Sequence, residues 1–181
     1  MIYLSSDLHF SHNKDFIYAA RGFSSIDEMN AAIVDRFNSV VSPTDDLYLL
    51  GDTMLGDLEN GISLLKQLNG KIHVLWGNHC TSNRKKAIAE CPNVVEVVGY
   101  ATMLKYRKFH FYLSHYPTLT ANNDDDKPLK QKVLCLAGHT HSKEKFEPCG
   151  SYNVAVDAHD CYPVSIDEII EDFINRKAEK K

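Results

Sequence analysis

The segment Ile2-Tyr3-Leu4-Ser5-Ser6-Asp7-Leu8-His9 joins a strand-like apolar run to two side chains of the kinds that bind metals. Residues 2–6 have the length and composition of a buried β-strand. Asp7 and His9 follow directly. Because residues i and i+2 of an extended segment point to the same side, we expect both side chains to address one metal ion.

Four further strand-like runs end in similar polar residues. Sites in α/β sheets usually form at the carboxyl ends of strands, and a glycine such as Gly138 would let the backbone approach closely there. Together with the first, these motifs predict a site for two divalent cations, because neither a core nor a surface role accounts for all five. In chain order the endings are Gly51-Asp52, Gly77-Asn78-His79, Ser114-His115-Tyr116 and Gly138-His139-Thr140-His141.

The ligand types narrow the choice of metal. Imidazole and carboxylate together suit Mn, Fe, Zn or Ni, and the lack of thiolate in the motifs argues against a structural zinc cage. One carboxylate can bridge two ions about 3.5–4 Å apart, and such a pair can stabilise an in-line displacement at phosphorus. Singly, each residue has a simpler interpretation: Asp7 as a turn residue, Asn78 as part of a turn, a lone histidine at the surface or hydrogen-bonded in the core.

Helical and strand-length patterns alternate in the first half of the chain, and strands dominate the second half. We therefore predict an α/β fold of two packed sheets with helices outside, in one domain spanning residues 1–181. Ser24 or Ser25 would cap the first helix, Arg107-Lys108 would form a hairpin turn, and residues 122–128 a polar, acidic loop. The predicted strands cover residues 2–6, 46–50, 71–75, 94–98, 101–106, 109–114, 133–137 and 152–156, and the predicted helices cover residues 25–41, 58–68, 84–89 and 166–177.

Composition excludes several classes of protein. The chain has 181 residues, of which 44% are hydrophobic and 24% charged, an ordinary globular balance. Its net charge of −4 gives no sign of a basic groove, so the sequence does not indicate a nucleic-acid partner. Nucleic acid is kept only as an alternative partner. The five scattered cysteines include no C-x-x-C pair and favour a reducing compartment. We expect no signal peptide, no membrane span and a cytoplasmic location.

The five motifs resemble those of the calcineurin-like metallophosphoesterases, whose pattern is D-x-H, G-D, G-N-H, a lone H and G-H-x-H in this order. The match runs from Asp7 to His141, about three quarters of the chain. The short length and the segment Ser6-Asp7-Leu8-His9-Phe10-Ser11-His12 are similar to the small, cap-free bacterial and phage members. The resemblance implies a two-sheet β-sandwich flanked by helices, in the αββα four-layer arrangement, in agreement with the fold predicted above.

The resemblance also implies a role for each residue. Two divalent cations are expected, with Mn favoured and Fe, Zn or Ni as alternatives. Asp52 would bridge them, and His79 would stand beside them without ligating, to place or protonate the phosphate oxygens with help from Asn78. The ligands implied for the first metal are Asp7, His9 and His141, and those for the second are Asn78, His115 and His139.

The implied function is that of a dinuclear metal-dependent phosphoesterase in which a metal-bridging hydroxide attacks phosphorus. The expected substrate is a small phosphate ester, first a phosphodiester of the nucleotide or cyclic-nucleotide type, and alternatively a phosphomonoester or phosphoprotein. A catalytically silent protein-binding scaffold is the rival interpretation, although every ligand-type position is kept. The sequence does not indicate the oligomeric state.

Two positions depart from the family pattern. Cys80 follows the G-N-H motif, where an acidic residue is often found, and Leu55 stands three positions after Asp52, where many members have aspartate. Asp57 could substitute at a different spacing, so the acid role of His79 is less firmly implied than the metal site. Cys80 is interpreted as a small packed thiol or as a redox-sensitive neighbour.

Three further groups have open interpretations. His12 could reach the substrate or the metal rim, or be an ordinary loop residue. Arg21 could pair with substrate phosphate, or with Asp15 or Asp27 at the surface. The run Arg84-Lys85-Lys86 could attract an anionic substrate or begin a solvated helix.

Overall fold

The computed structural model describes residues 1–118 and 127–179, which form a mixed α/β fold with two β-sheets and flanking helices. This arrangement is compatible with a four-layer α/β sandwich, so the predicted fold class is confirmed. The strands are β1 (Ile2–Ser5), β2 (Asp46–Leu50), β3 (Lys71–Leu75), β4 (Val94–Gly99), β5 (Ala101–Tyr106), β6 (Phe109–Ser114), β7 (Val133–Ala137), β8 (Tyr152–Asn153) and β9 (Val164–Ser165). The helices are α1 (Asp15–Tyr18), α2 (Ile26–Val40), α3 (Leu58–Leu65), α4 (Ser82–Ala89) and α5 (Ile166–Glu179).

The first sheet has the strand order β4-β3-β2-β1-β9, with β1 to β4 parallel and β9 antiparallel to β1. Helix α2 covers it because Met29, Ile33 and Phe37 recur at helical spacing and are all fully buried in one apolar cluster with residues of β2 and β3. Ser25 is the N-cap of α2, since its side chain accepts a hydrogen bond from the Glu28 N–H at 3.2 Å.

The second sheet has the strand order β5-β6-β7-β8. Strands β5 and β6 form the predicted hairpin around Arg107 and Lys108, whose φ angles of 45° and 71° suit a two-residue turn. Strands β6, β7 and β8 are parallel, so the later strands do not form further hairpins. A second apolar cluster joins both sheets and α5, and it includes Leu4, Leu50, Leu75, Phe111, Leu136 and Phe173.

Several predicted boundaries differ from the structure. The helix predicted over 58–68 ends at Leu65, and the helix predicted over 84–89 begins at Ser82. The strand predicted over 152–156 has only two residues, followed by a 3-10 turn at Val156–Ala158. The short elements α1 and β9 were not predicted. Most of the predicted acidic loop, residues 122–126, lies outside the described residues.

The carboxyl end of β1 is where the two sheets meet. Val156 N–H donates to the Ser6 carbonyl at 3.2 Å, and Val154 N–H donates to the Ala137 carbonyl at 2.8 Å. The segment after β8 therefore ties the end of β1 in the first sheet to the end of β7 in the second. Among the helices of the described residues, none has the length and apolar character needed to cross a bilayer.

Candidate metal centre

The five motifs converge at this one end of the two sheets. Asp7 N–H donates to the Gly51 carbonyl and His9 N–H to the Asp52 carbonyl, both at 3.1 Å. Gly138 N–H donates to the His115 carbonyl at 3.0 Å, which links the motifs that follow β6 and β7. The third motif joins through His79 N–H, which donates to Asp52 Oδ1 at 3.0 Å. Hydrogen bonds donated by backbone N–H groups thus fix the relative positions of motifs that are far apart in the sequence.

Most of these side chains are oriented by a left-handed backbone conformation, and not by the alternation of side chains along an extended strand. Five of the seven predicted ligands have positive φ. We expected Asp7 and His9 to converge because their segment is extended, and this explanation was wrong. The side chains do converge, but through turns that are sparsely populated for residues other than glycine. The φ angles are 57° for Asp7, 51° for His9, 48° for Asp52, 74° for His139 and 53° for His141.

The glycines of three motifs make room for the carboxylates and for His115. A Cβ on Gly77 would meet the Oδ1 atom of Asp52, and a Cβ on Gly138 would meet Oδ2 of Asp7, both inside van der Waals contact. A Cβ on Gly51 would lie 2.6 Å from Nδ1 of His115. The glycine of each of these three motifs is therefore a packing requirement of the site.

Asp7, His9 and His141 form a first group that could hold a metal ion, with one ligand atom from each lying within 4.8 Å of the others. Asp7 Oδ1 lies 3.9 Å from His9 Nε2 and 3.8 Å from His141 Nε2. The other oxygen of Asp7, Oδ2, accepts a hydrogen bond from the His139 N–H at 2.8 Å. The backbone therefore binds one carboxylate oxygen and leaves the other to face the imidazoles.

Asp7 Oδ1 and His9 Nε2 are buried, and neither has a hydrogen-bond partner within residues 1–118 and 127–179. Leaving a buried polar atom unpaired costs about 1–3 kcal/mol. Two such atoms facing one another at 3.9 Å fit a small cation, which would bond to both. The residues present therefore fit a metal ion.

Asp7, Asp52 and His115 form a second group of the same kind. His115 Nε2 lies 3.3 Å from Asp52 Oδ2 and 2.8 Å from Asn78 Oδ1. Its Nδ1 lies 2.9 Å from the Leu50 carbonyl, which can only accept, so the proton of the neutral ring belongs on Nδ1. The lone pair of Nε2 then points at the two oxygens, the arrangement that a cation between them requires.

The structure brings most of the predicted site residues into these groups. Asp7 belongs to both groups, whereas Asp52 belongs to the second alone. His139 belongs to neither, and its ring lies beside that of His115 with 5.0 Å between centroids. His79 is at the rim, with a side chain 43% exposed and Nε2 4.0 Å from Asp52 Oδ2.

Burial and the neighbouring charges set the protonation of the groups. Burial raises the pKa of the Asp7 carboxyl, against the effect of His115 and His141. Burial lowers the pKa of His9 to about 3, so this imidazole is neutral and able to act as a ligand at pH 7. Burial opposes the shift of Asp52, but its interactions with His115 and with the His79 N–H leave its pKa lowered.

Arg21 and Asp157 form a buried ion pair behind the first group, and sequence reasoning missed it. Arg21 Nε and Nη2 donate to the two oxygens of Asp157 at 3.0 and 2.9 Å, and the guanidinium also donates to the carbonyls of Asp7 and Leu8. The expectations that Arg21 would bind substrate or pair with Asp15 or Asp27 were wrong, because its side chain is only 3% exposed.

Asp157 in turn orients a histidine of the first group. Its Oδ2 lies 3.0 Å from His141 Nδ1, so that Nε2 of the ring faces Asp7. The bond to Asp157 raises the pKa of His141 against the effect of burial. Hydrogen bonds from His141 and Arg21 overcome the effect of burial and lower the pKa of Asp157, which is therefore ionised. No motif in the sequence distinguishes Asp157 from the other aspartates.

The remaining sequence candidates have definite positions. His12 Nδ1 lies 3.2 Å from His9 Nδ1, on the side of the ring away from Asp7. Asp57 caps α3 by accepting from the Asn60 N–H at 2.7 Å, so it does not replace the missing acidic partner of His79. Cys80 is a packed thiol whose Sγ accepts from the Gly77 N–H at 3.4 Å, and burial raises its pKa. Arg84 donates to the His79 carbonyl at 3.4 Å.

Comparison with known proteins places the chain in a family. It is 31% identical over 178 residues to the uncharacterized protein MJ1445 of Methanocaldococcus jannaschii, covering 94% of this chain and 89% of that protein. The chain belongs to the family of that archaeal protein. No protein-family model matches the chain.

One solved structure supports the fold of this family member. The crystal structure of the protein of unknown function AQ665 from Aquifex aeolicus superposes with a TM-score of 0.72 at 24% identity, covering 94% of this chain and 98% of that chain. A structure described as that of a novel archaeal phosphodiesterase aligns with a TM-score of 0.45 at 16% identity, over 85% of this chain and 81% of that chain. A likeness that weak supports no conclusion about activity.

Substitution of Gly77 by alanine is expected to damage both stability and metal binding. The added methyl group would displace the Asp52 side chain, and overpacking of this kind costs about 1–3 kcal/mol of unfolding free energy. Gly22→Ala is the control, since nothing lies within 4 Å of a Cβ there, although its φ of +85° adds strain. Urea unfolding measures the stability of both variants. Mn²⁺ titration should show lost affinity in Gly77→Ala alone. Equal affinity in the two variants would contradict the packing role.

Substitution of Asp157 by asparagine is expected to weaken Mn²⁺ binding by about 10- to 100-fold, because the partner that orients His141 loses its charge. Asp160→Asn is the matched control, because Asp160 is exposed and its positive φ of 48° tolerates asparagine. Calorimetric titration of both variants, after circular dichroism has shown that each is folded, measures the effect. Unchanged affinity in Asp157→Asn would show that its pair with His141 is only structural.

Proposed function

We propose that the protein is a dinuclear metal-dependent phosphoesterase of the calcineurin-like type, acting on small phosphodiesters of the nucleotide or cyclic-nucleotide class. One observation carries the proposal: buried Asp7 Oδ1 faces buried His9 Nε2 at 3.9 Å, and neither atom has a hydrogen-bond partner in the described part of the chain. A cation satisfies both atoms at once. Carboxylate, imidazole and amide oxygen ligands suit Mn, Fe, Zn or Ni.

The proposed ligand sets start from the two groups and add Asn78 and His139 from the sequence motifs. Asp7 and the imidazoles of the first group would hold one ion. The second group, with Asn78 Oδ1 directed at His115 Nε2, would hold the other. Asp52 is assigned as the shared carboxylate because the family resemblance implies that role, with Oδ1 held by the His79 N–H and Oδ2 facing His115, although Asp7 is the residue common to both groups. The first ion is assigned to Asp7, His9 and His141, and the second to Asn78, His115 and His139.

Bound divalent cations would supply an activated water as the nucleophile and positive charge opposite the phosphoryl oxygens. The residues of the chain do the rest. Asn78 and His79 are both exposed at the rim, where they can donate hydrogen bonds to the phosphoryl oxygens. The His79 ring can place a proton on the departing ester oxygen, and its own backbone bond to Asp52 fixes it relative to the groups.

A panel of esters assayed with each metal tests the proposal. We expect metal-free protein to bind two equivalents of Mn²⁺ and then to hydrolyse bis(4-nitrophenyl) phosphate faster than 4-nitrophenyl phosphate, with Ni, Fe and Zn compared in parallel. Faster monoester or phosphopeptide hydrolysis would instead indicate a phosphomonoesterase or protein phosphatase. Failure to bind metal would favour a catalytically silent scaffold and overturn the proposal.

Asp52→Asn is expected to lower kcat by at least about 100-fold and to weaken one metal, because the amide cannot serve as a shared carboxylate. Asp46→Asn is the matched control, since Asp46 begins the strand β2 that leads to Asp52 and its carboxylate pairs with His73. Metal content by mass spectrometry and diester turnover are the measurements. Normal metal content together with normal turnover in Asp52→Asn would rule out the assignment.

His79→Ala is expected to retain both metals and to lose about 100- to 10,000-fold in kcat, the range for a proton-transferring group. His110→Ala is the control, because His110 lies near the start of β6, away from the His115 end of that strand. Loss of a metal in His79→Ala would make His79 a ligand, and an unchanged kcat would remove it from the chemistry.

A further inference from the structure

Two exposed aromatic rings border the candidate metal centre, one beside each group. Phe16 in α1 is 70% exposed, and the ring of His12 lies edge-on to it with 5.7 Å between centroids. His12 in turn lies 5.2 Å from the ring of His9 in the first group. Tyr116 is 47% exposed, and its ring lies 4.7 Å from that of His139 and 5.1 Å from that of His115 in the second group.

The packing of the fold does not explain the position of either ring. In α1 the buried residue is Ile17, which joins the core, while Phe16 beside it points outward. An apolar ring with this much exposure loses the stabilisation that burial would give. The Tyr116 ring is placed by the strand end that also positions His115, and Ser114 Oγ donates to the Tyr116 carbonyl at 2.7 Å. That ring is therefore presented to solvent from a fixed loop.

We propose, on the basis of the function proposed above, that Phe16 and Tyr116 are two stacking subsites that select phosphodiesters with a flat aromatic group on each side of the phosphorus. A phosphoryl group placed over both metal groups directs one ester arm past His12 to Phe16 and the other past His139 to Tyr116. Nucleobases and aryl rings both stack on aromatic side chains. A linear diester with two such arms uses both subsites, whereas a monoester or a cyclic nucleotide uses one.

A pair of substrates with one leaving group tests the proposal. Bis(4-nitrophenyl) phosphate and methyl 4-nitrophenyl phosphate both release 4-nitrophenolate, and they differ only in the second arm. We expect Phe16→Ala and Tyr116→Ala each to raise KM for the diaryl ester by about tenfold, a typical contribution of one stacked ring. For the methyl ester we expect only one of the two variants to raise KM, because a single ring needs a single subsite.

Matched variants separate stacking from folding. Tyr116→Phe keeps a flat ring and should retain the wild-type KM, whereas Tyr116→Leu keeps apolar bulk without the ring and should not. Tyr162→Ala removes another tyrosine, 41% exposed, whose ring faces the Arg36 guanidinium, and should leave both substrates unaffected. Diaryl KM values within twofold of wild type in both Phe16→Ala and Tyr116→Ala would overturn the proposal.

A binding measurement distinguishes failure of the subsites from failure of the proposed function. Calorimetry on the Mn²⁺-loaded protein compares diphenyl phosphate with dimethyl phosphate. We expect the wild type to bind the diphenyl ester at least about tenfold more tightly, and each alanine variant to lose most of that preference. If the wild type hydrolyses no diester but shows this preference, the subsites stand and the enzymatic assignment fails. Equal binding of the two esters refutes the subsites, whatever the activity.

Discussion

The buried carboxylate of Asp7 is the constraint on which the organisation of this protein depends. Its backbone N–H binds the Gly51 carbonyl, its own carbonyl accepts from Arg21, and its Oδ2 accepts from the His139 N–H. One residue therefore ties the end of β1 to the loops after β2 and β7. The remaining oxygen, Oδ1, is fully buried and faces two imidazoles. The fold therefore leaves a buried acceptor without a hydrogen bond at this point.

Such an arrangement is costly for the folded protein unless positive charge compensates it. Burial raises the pKa of Asp7 and lowers that of His9, so both groups resist ionisation. The left-handed backbone at Asp7, His9 and Asp52 adds strain that the surrounding hydrogen bonds must hold in place. A ligand that binds only the folded state would offset these costs by mass action, so the stability of this fold is expected to be linked to metal binding.

The sequence predicted the elements whose information is local. Strands β2, β3, β5, β6 and β7 have their predicted bounds, because apolar runs between turn residues specify a buried strand. Helix α3 ends three residues before the predicted Leu68, although Leu68 is itself buried, because an apolar pattern does not distinguish the last helical turn from a packed loop. Parallel pairing of β6 with β7 is a long-range property that the spacing of residues does not encode.

The same distinction explains which parts of the site were predicted. The motifs could be identified because each follows an apolar run and three of the five contain a glycine. Arg21 and Asp157 could not be identified in this way. Their ion pair joins the loop after α1 to the 3-10 turn after β8, 136 residues away, and no sequence motif marks either position. The left-handed turns were also missed, because Asp and His adopt positive φ infrequently and the backbone bonds that hold Asp7 and His9 there are long-range.

Exposure changes systematically across the candidate site, and this gradient limits how a ligand can approach it. Asp7 and His9 are 0% and 2% exposed, so these side chains are closed to solvent on the far side of the first group. His141, His79 and the two aromatic side chains are progressively more open, at 34%, 43%, 47% for Tyr116 and 70% for Phe16. A ligand must therefore contact the rim residues before the phosphoryl group meets the buried ones. On the proposed function, selection among esters would depend on the exposed side chains, while the buried carboxylate and imidazoles would hold the cations that face the phosphoryl group common to every ester.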